Sequence, residues 1–425
     1  MKEMLRNYRD VMSVRAVRTT VLAAAVGVAG DSAAMVALLL RVHASGEGPW
    51  AVALLLGTFA VPVVLLMGPA GALADRADPR RVLGVTALVQ AGAAAALATV
   101  DGLVATLALV AVLQTGFALG NPSWTAVVPR LVPGGAAGRV VALQQAVRGV
   151  AGPAGAGLGG VLVQWRGPST ALLLDAATFL VLAGAAVALP RVARERRAAQ
   201  ASAGPRRWTS SLLPRDGVAA LRADPVLGVL VLALLPLVVT LESVNAVEVF
   251  LLRDVLGASA AQFGLAEAVH GGAAVVGAVL SGAATSRTSR VRAVLASMAL
   301  IGLGQAGQSV SPGYLTYLAL GLGLGLLLGA VNALVFGLLL DELDADHRGA
   351  VVALVSGLSR AAGALALVLG GTVGTLAGPR AAYLVAGAGT LLVAGVAAWV
   401  VHRSVDGAST TRASRSTPGP STLEA

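Results

Sequence analysis

Ionisable side chains are scarce in this sequence, and several stand inside long apolar runs, where a charge is costly unless it has a task. Asp31 lies about twelve residues into the first such run, roughly 18 Å deep at 1.5 Å per residue and close to a bilayer midplane. Glu242 occupies a similar depth in a later run. A carboxyl group there is neutral with a proton and anionic without one, which suits exchange of a proton for a cationic substrate. The plainer alternative is a polar contact that only fixes helix packing. Glu248 lies about one and a half turns beyond Glu242. Glu267 and His270 are three apart and share a helix face. They have the chemistry of a proton relay, since histidine titrates near neutrality, or of an interhelical hydrogen bond. Arg148 and Arg360 stand at near-equivalent depths in two further runs. Each can neutralise a carboxylate, with Asp31 and Glu267 both open as partners of Arg148, or bind an anionic substrate. Asp175 lies near the outer end of its run, where a functional part is the minor reading.

The elements that position these residues follow from hydropathy. The chain is 56% hydrophobic and 12% charged, with a mean hydropathy of +0.82, whereas soluble domains carry about a quarter charged residues. Apolar runs of about 20 residues, each enough for ~30 Å of hydrocarbon, predict helices at 19–41, 50–70, 82–100, 102–120, 138–164, 169–189, 226–251, 262–284, 292–310, 313–340, 350–376 and 381–401. The 53 glycines suit close approach between membrane helices. Residues 1–18 form a basic amino terminus, 19–189 and 225–402 two bundles, 190–224 an arginine-rich central loop, and 403–425 a Ser/Thr/Gly/Pro-rich tail that reads as disordered.

The net charge of +10 is not spread evenly. The amino terminus, the even-numbered loops and the tail hold nearly all the arginines. The other side has only Arg41, Arg166, Arg253 and Arg380. The positive-inside rule therefore predicts cytoplasmic termini and a cytoplasmic central loop in a cell membrane. It also explains the pI of 11.2 without a nucleic-acid partner.

Sliding the chain on itself by 211 positions aligns VVAL (140–143) with VVAL (351–354), LGG (158–160) with LGG (369–371), and Gly167-Pro168 with Gly378-Pro379. More than a third of positions match without a gap from Gly138 to Ala186. The same offset pairs Arg76 with Arg287, Arg81 with Arg292, Asn121 with Asn332, and Asp31 with Glu242. A constant register across both halves means duplicated bundles in parallel orientation, with a site at their interface near the midplane. It makes Asp31 and Glu242 equivalent positions in the two bundles.

The loop GPAGALADRADPRRVL (68–83) resembles the signature of the major facilitator superfamily, with Gly71, Leu73, Asp75, Arg76, Arg80 and Arg81 in the matching places. The second copy keeps Gly282, Arg287 and Arg292 but has Ser286 for Asp75. AGDSAAMVALLLRVH (29–43) and Asn121-Pro122 followed by VVPRLVP (127–133) are similar to the macrolide-efflux and enterobactin-exporter-like branch. The resemblance implies an all-α membrane protein of the major facilitator fold, twelve transmembrane helices in two pseudo-symmetric six-helix bundles. It further implies export of a hydrophobic or amphipathic, antibiotic-like small molecule by proton antiport. Val112 stands where many drug–proton antiporters carry a buried arginine. In such proteins the signature loop is a conformational latch, Asp75 accepting from the positive end of helix eleven, here after Arg348-Gly349.

Rival readings are export of a siderophore or other anionic metabolite through Arg148 and Arg360, and a membrane receptor or assembly protein that transports nothing. Enzymatic ATP hydrolysis is not expected, since no phosphate loop is present and Lys2 is the only lysine. Four histidines, no cysteine and no ligand spacing predict no metal and no cofactor beyond the proton-motive force. The expected partners are a small-molecule substrate, protons and the lipid bilayer, with the chain acting as a monomer.

Overall fold

A computed structural model of the chain describes residues 12–127, 137–189, 225–342 and 345–415. The central loop 190–224, most of the 127–133 motif, the side chain of Arg348 and the last ten residues lie outside the described residues.

The first half comprises α1 (Arg15–Ala44), α2 (Pro49–Leu65), α3 (Met67–Arg76), α4 (Pro79–Leu97), α5 (Leu103–Val127), α6 (Ala137–Arg166) and α7 (Pro168–Ala188). The second comprises α8 (Pro225–Asn245), α9 (Ala260–Leu280), α10 (Arg287–Ser309), α11 (Tyr314–Glu342) and α12 (Ala345–Arg415). Helices suit these runs because lipid offers backbone N–H and C=O groups no partners outside the segment. By length and composition eight helices can cross a membrane, nine with α2 and α3 taken as one span bent by 50°. The others are accounted for by chemistry. Arginines in their first turns make α4 and α10 less apolar, although their 19 and 23 residues are long enough. Helix α12 holds two arms separated by a break at Gly378. Each half thus contributes six crossings.

Two boundaries differ from expectation. The seventh run does not continue unbroken to 251: α8 stops at Asn245, a short helix resumes at Glu248–Phe250, and a π turn covers Leu251–Val255. The last helix passes the expected end near 402 and reaches Arg415. After Pro379 no proline interrupts its second arm before Pro418, and arginines near a helix C-terminus complement its partial negative charge.

Backbone turns reproduce the repeat. Gly167 and Gly378 hold φ 83°, ψ 170° and φ 82°, ψ 170°, each directly before a proline that opens the next helix. Gly46 and Gly257, also 211 apart, have φ 76° and 64°. Position 98 is tied to 169 and position 309 to 380: Ser169 donates to Ala98 O at 2.8 Å, and Ser309 donates to Arg380 O at 2.8 Å.

The apolar core shows where the halves meet. One buried cluster draws on both halves, including Val42, Val52, Leu97, Val247, Leu252 and Tyr383. It lies at the end holding the 45–48 and 256–259 loops, called here the closed end. The two other clusters belong to one half each and lie toward the opposite, basic end. At the closed end small residues bring helices together. A Cβ on Gly371 of α12 would sit 3.0 Å from Ala53 Cβ of α2, and one on Gly160 of α6 would sit 2.7 Å from Gly264 Cα of α9. Gln164 accepts from the Ala260 amide at 3.1 Å. At the basic end, a Cβ on Gly71, Gly282 or Gly357 would meet nothing within 4 Å.

Candidate substrate and proton site

Asp31 is pinned by the packing of α1. Ala29 and Ala33, one turn apart, meet Gly155 and Gly159 of α6, where added Cβ atoms would lie 2.2 Å from Ala29 O and 2.6 Å from Ala33 Cα. On another face, a Cβ on Gly30 would lie 2.4 Å from Thr178 Oγ1 and 2.8 Å from Asp175 Oδ1 of α7. Both seams need small residues so that backbones can approach. They fix the rotation of α1 and aim Asp31 at two spaces. The larger is a cavity of about 470 Å³ whose polar lining includes Asp31, Gln90 and Asp175 from the first half and Glu267 from the second. Met35, Phe59 and Phe117 supply part of its apolar wall. The smaller, about 100 Å³, shares Asp31 and Gln90 and adds Arg148 and Asn121.

The charges around Asp31 are unevenly satisfied. Asp31 interacts electrostatically with Arg148 and with Asp175. Asp175 is 1% exposed; its Oδ1 accepts from Thr178 Oγ1 at 3.3 Å, while Oδ2 is buried without a partner. Arg148 Nε and Gln144 Nε2 are buried and unpartnered as well. Buried polar atoms are normally hydrogen-bonded, so such a concentration points to a place that a ligand or water completes.

A second polar group lies in the other half. The Tyr317 hydroxyl of α11 donates to Glu248 Oε1 at 2.7 Å and stands 2.9 Å from the Tyr383 hydroxyl of α12. Their rings meet edge to face at 6.2 Å. Glu248 interacts electrostatically with Glu267 and His270 of α9.

The remaining predicted residues are placed differently. Glu242 is exposed, accepts from Asn245 Nδ2 of its own helix at 2.8 Å, and does not line the larger cavity. The carboxyl that shares that cavity with Asp31 from across the interface is Glu267. Arg360 is exposed and contributes to neither cavity. His270 lies one turn from Glu267 and outside the cavity lining. In the signature loop, Asp75, Arg76 and Arg81 are exposed and Gly71 is uncrowded. Arg80 donates to Val187 O of α7. Among the described side chains Asp75 makes no hydrogen bond or ion pair; the side chains at its expected partner, around Arg348, lie outside them. Its counterpart Ser286 has a local task, capping α10 by accepting from Ser289 N at 3.2 Å. Asp175 is the residue that sequence reasoning passed over. Its repeat position holds Ala386, so the duplication gave no signal for it.

At the closed end His43 Nε2 lies 2.7 Å from Asp254 Oδ1, and the His43 ring packs edge-on to Phe250 at 5.1 Å. These two residues are 211 apart and are therefore each other's repeat counterparts. Among the described residues, groups of three or more His, Asp or Glu arranged to hold a metal are absent.

The sequence profile of the major facilitator superfamily matches residues 20–247 and 242–423, nearly the whole chain. The chain belongs to the major facilitator superfamily. It is accordingly a multi-pass membrane transporter rather than an enzyme, with a small molecule as its substrate. Superfamily structures share its fold at low identity. The nucleoside transporter NupG aligns with a TM-score of 0.72 at 13% identity, over 91% of this chain and 98% of that one. A bacterial homolog of the human lysosomal transporter Spinster, inward-facing and unoccupied, gives 0.70 at 13%, over 91% and 95%. A bacterial homologue of the iron transporter ferroportin, inward-facing, gives 0.69 at 15%, over 91% and 98%. No curated protein matches the sequence.

Proposed function

We propose that this transporter exports an amphipathic small molecule, neutral or cationic, in exchange for protons. The observation that carries the reading is the cavity between the halves. Its wall is largely apolar and its ionisable lining is Asp31, Asp175 and Glu267, with no arginine. An apolar pocket with a few convergent polar groups suits an organic molecule of drug size, and three carboxyls favour a cation over an anion. An anionic metabolite would call for Arg148 and Arg360; Arg360 lines neither cavity, and Arg148 lines only the smaller one, beside Asp31. The antibiotic-efflux branch rests on the 29–43 and 121–133 motifs.

The basic end, with exposed Arg76, Arg81 and Arg287, faces the cytoplasm by the positive-inside rule. At the other end three of the four arginines are taken up by backbone carbonyls: Arg41 by Leu97 O and Val100 O, Arg253 by Ala258 O, and Arg380 by Ser311 O. Joined halves at the closed end and disengaged glycines at the basic end then describe an inward-facing state. Substrate reaches Asp31 from the cytoplasm or inner leaflet. The signature loop closes on α12, with Asp75 toward that helix's N-terminus, and the His43–Asp254 contact parts as the halves rock. No cofactor takes part; the proton gradient drives the cycle.

Everted vesicles carrying the protein, given ethidium as a lipophilic cation and an inside-acid gradient, test this. Ethidium should accumulate only with the gradient, alkalinise the lumen, and do neither in Asp31→Asn. Accumulation indifferent to the gradient would remove proton antiport.

A further inference from the structure

We infer that the coupling proton and the substrate occupy different halves: Asp31 and Asp175 take the organic cation, while a proton-only site is built from Glu248, Tyr317, Tyr383 and Glu267. This deepens the antiport reading and rests on it.

The two carboxyl groups of each half sit in different surroundings. In the first half the Asp31–Asp175 pair is partly balanced by Arg148 and opens on about 470 Å³ of apolar-walled space. That volume admits a drug-sized molecule. Glu248, in contrast, lies under Tyr317 and Tyr383, which are 3% and 1% exposed. Its Oε1 is already 2.7 Å from the Tyr317 hydroxyl, which is 2.9 Å from that of Tyr383. Glu248 lines neither cavity. Glu248 itself is half-buried, and with Oε1 taken up by the Tyr317 hydroxyl it is better suited to a proton than to an organic cation.

The groups facing Glu248 are Glu267 and His270 from α9, Tyr317 from α11 and Tyr383 from α12, with Asp31 and Asp175 across the cavity from Glu267. Among the described residues neither Glu248 nor Glu267 has an arginine or lysine in ion-pair contact. A carboxyl hydrogen-bonded by a tyrosine, with a second carboxyl on the neighbouring helix and no arginine or lysine in contact with either, gives an exchangeable proton a place to bind. The hydrogen-bond pattern gives it a place. With Glu248 ionised, Tyr383 donates to Tyr317 and Tyr317 donates to Glu248. When Glu248 binds the proton, its own O–H becomes the donor and the phenols reorient. Glu267 touches both systems: it senses Glu248 on one side and lines the substrate cavity on the other. Substrate arriving beside Glu267 therefore expels the proton from the pair into cavity water, and substrate leaving lets it return.

Proteoliposomes separate this from its rivals, because ethidium exchange without a gradient reports substrate binding and movement while gradient-driven accumulation reports coupling. In Glu248→Gln and Tyr317→Phe, accumulation should fall about tenfold or more while exchange stays within about twofold of wild type. Asp31→Asn should lose both. Accumulation near the wild-type level in Glu248→Gln, or exchange falling in parallel with accumulation in both variants, would overturn the separate proton site. A variant that exchanges ethidium is folded, so its loss of accumulation is interpretable. If wild-type protein exchanges ethidium but ignores the proton gradient, the antiport reading fails instead, and a sodium gradient is the next arm.

Discussion

At the turns between their fifth and sixth helices the two halves are interchangeable. Gly167 and Gly378 agree within a degree in φ, and the hydrogen bonds 98–169 and 309–380 join the same places with donor and acceptor sides reversed. Away from these turns the equivalence stops. Asp175 corresponds to Ala386, Arg148 to Ser359, Tyr317 to Thr106, Tyr383 to Leu172 and Glu248 to Ala37. Backbone geometry at a turn depends on glycine φ and on crossing distances that admit no other residue, so both copies need the same solution. A side chain aimed into a cavity meets fewer neighbours and can differ between copies without disturbing the fold. One duplicated scaffold can thus present an arginine-balanced, roomy acid pair on one side and, on the other, a pair of which Glu248 is held by a tyrosine while Glu267 reaches the cavity.

The largest effect expected from probing this comparison is a covalent one. Ala53→Cys with Gly371→Cys introduces the only two cysteines in the chain, at a place where the ideal Cβ separation of 3.0 Å falls short of the roughly 3.5–4.5 Å of a disulfide, so that the helices must part by about half an ångström. Oxidation should stop ethidium transport by locking the closed end, and reduction should restore it. Unchanged transport in a fully cross-linked sample would mean the closed end never opens. Next in size is the symmetric acid pair. Asp31→Asn should weaken ethidium binding at least about tenfold, near 1.4 kcal/mol, while Glu242→Gln changes it less than about twofold. Equal losses by equilibrium binding would show that the repeat-related acids act together after all.

A matched pair of glycine substitutions is smaller in effect and tests the scaffold alone. The Cβ of Gly159→Ala would press on Ala33 Cα at 2.6 Å, and that of Gly370→Ala on Ser243 O at 2.0 Å. Each should lower the melting temperature in detergent, consistent with about 1–3 kcal/mol for overpacking. Gly71→Ala, with open space around it, should leave melting unchanged and slow transport. Smallest is Asp254→Asn. Its side chain is 56% exposed, so the partial loss of one contact with His43 should cost under about 1 kcal/mol. It should appear as faster labelling of a closed-end cysteine rather than as lost stability.

Much of this was legible in the sequence. Twelve crossings, the two-fold repeat and the depth of Asp31 follow from run length and a constant offset. The face each residue presents does not, because one residue turns a helix by about 100° and packing sets the phase. Helix α1 is continuous to Ala44, while α8 stops at Asn245, restarts at Glu248 and passes into a π turn at Leu251–Val255. That interruption comes after Glu242 and breaks the helix just before Glu248, whose carboxyl meets Tyr317. Hydropathy cannot see it, since the run VNAVEVFLL is as apolar as a straight helix would be. Asp175 escaped for another reason: its partner is made by the close approach at Gly30, a contact between distant segments.

The buried apolar cluster that spans both halves has a thermal consequence. Opening the closed end would wet residues such as Val42, Val52, Val247 and Leu252, now almost wholly dry. Exposing apolar surface raises heat capacity, and its cost shrinks on cooling. The two faces of the transport cycle should therefore exchange populations with temperature. The inward-open arrangement should gain as the membrane warms and the outward-open one as it cools, quite apart from any ligand.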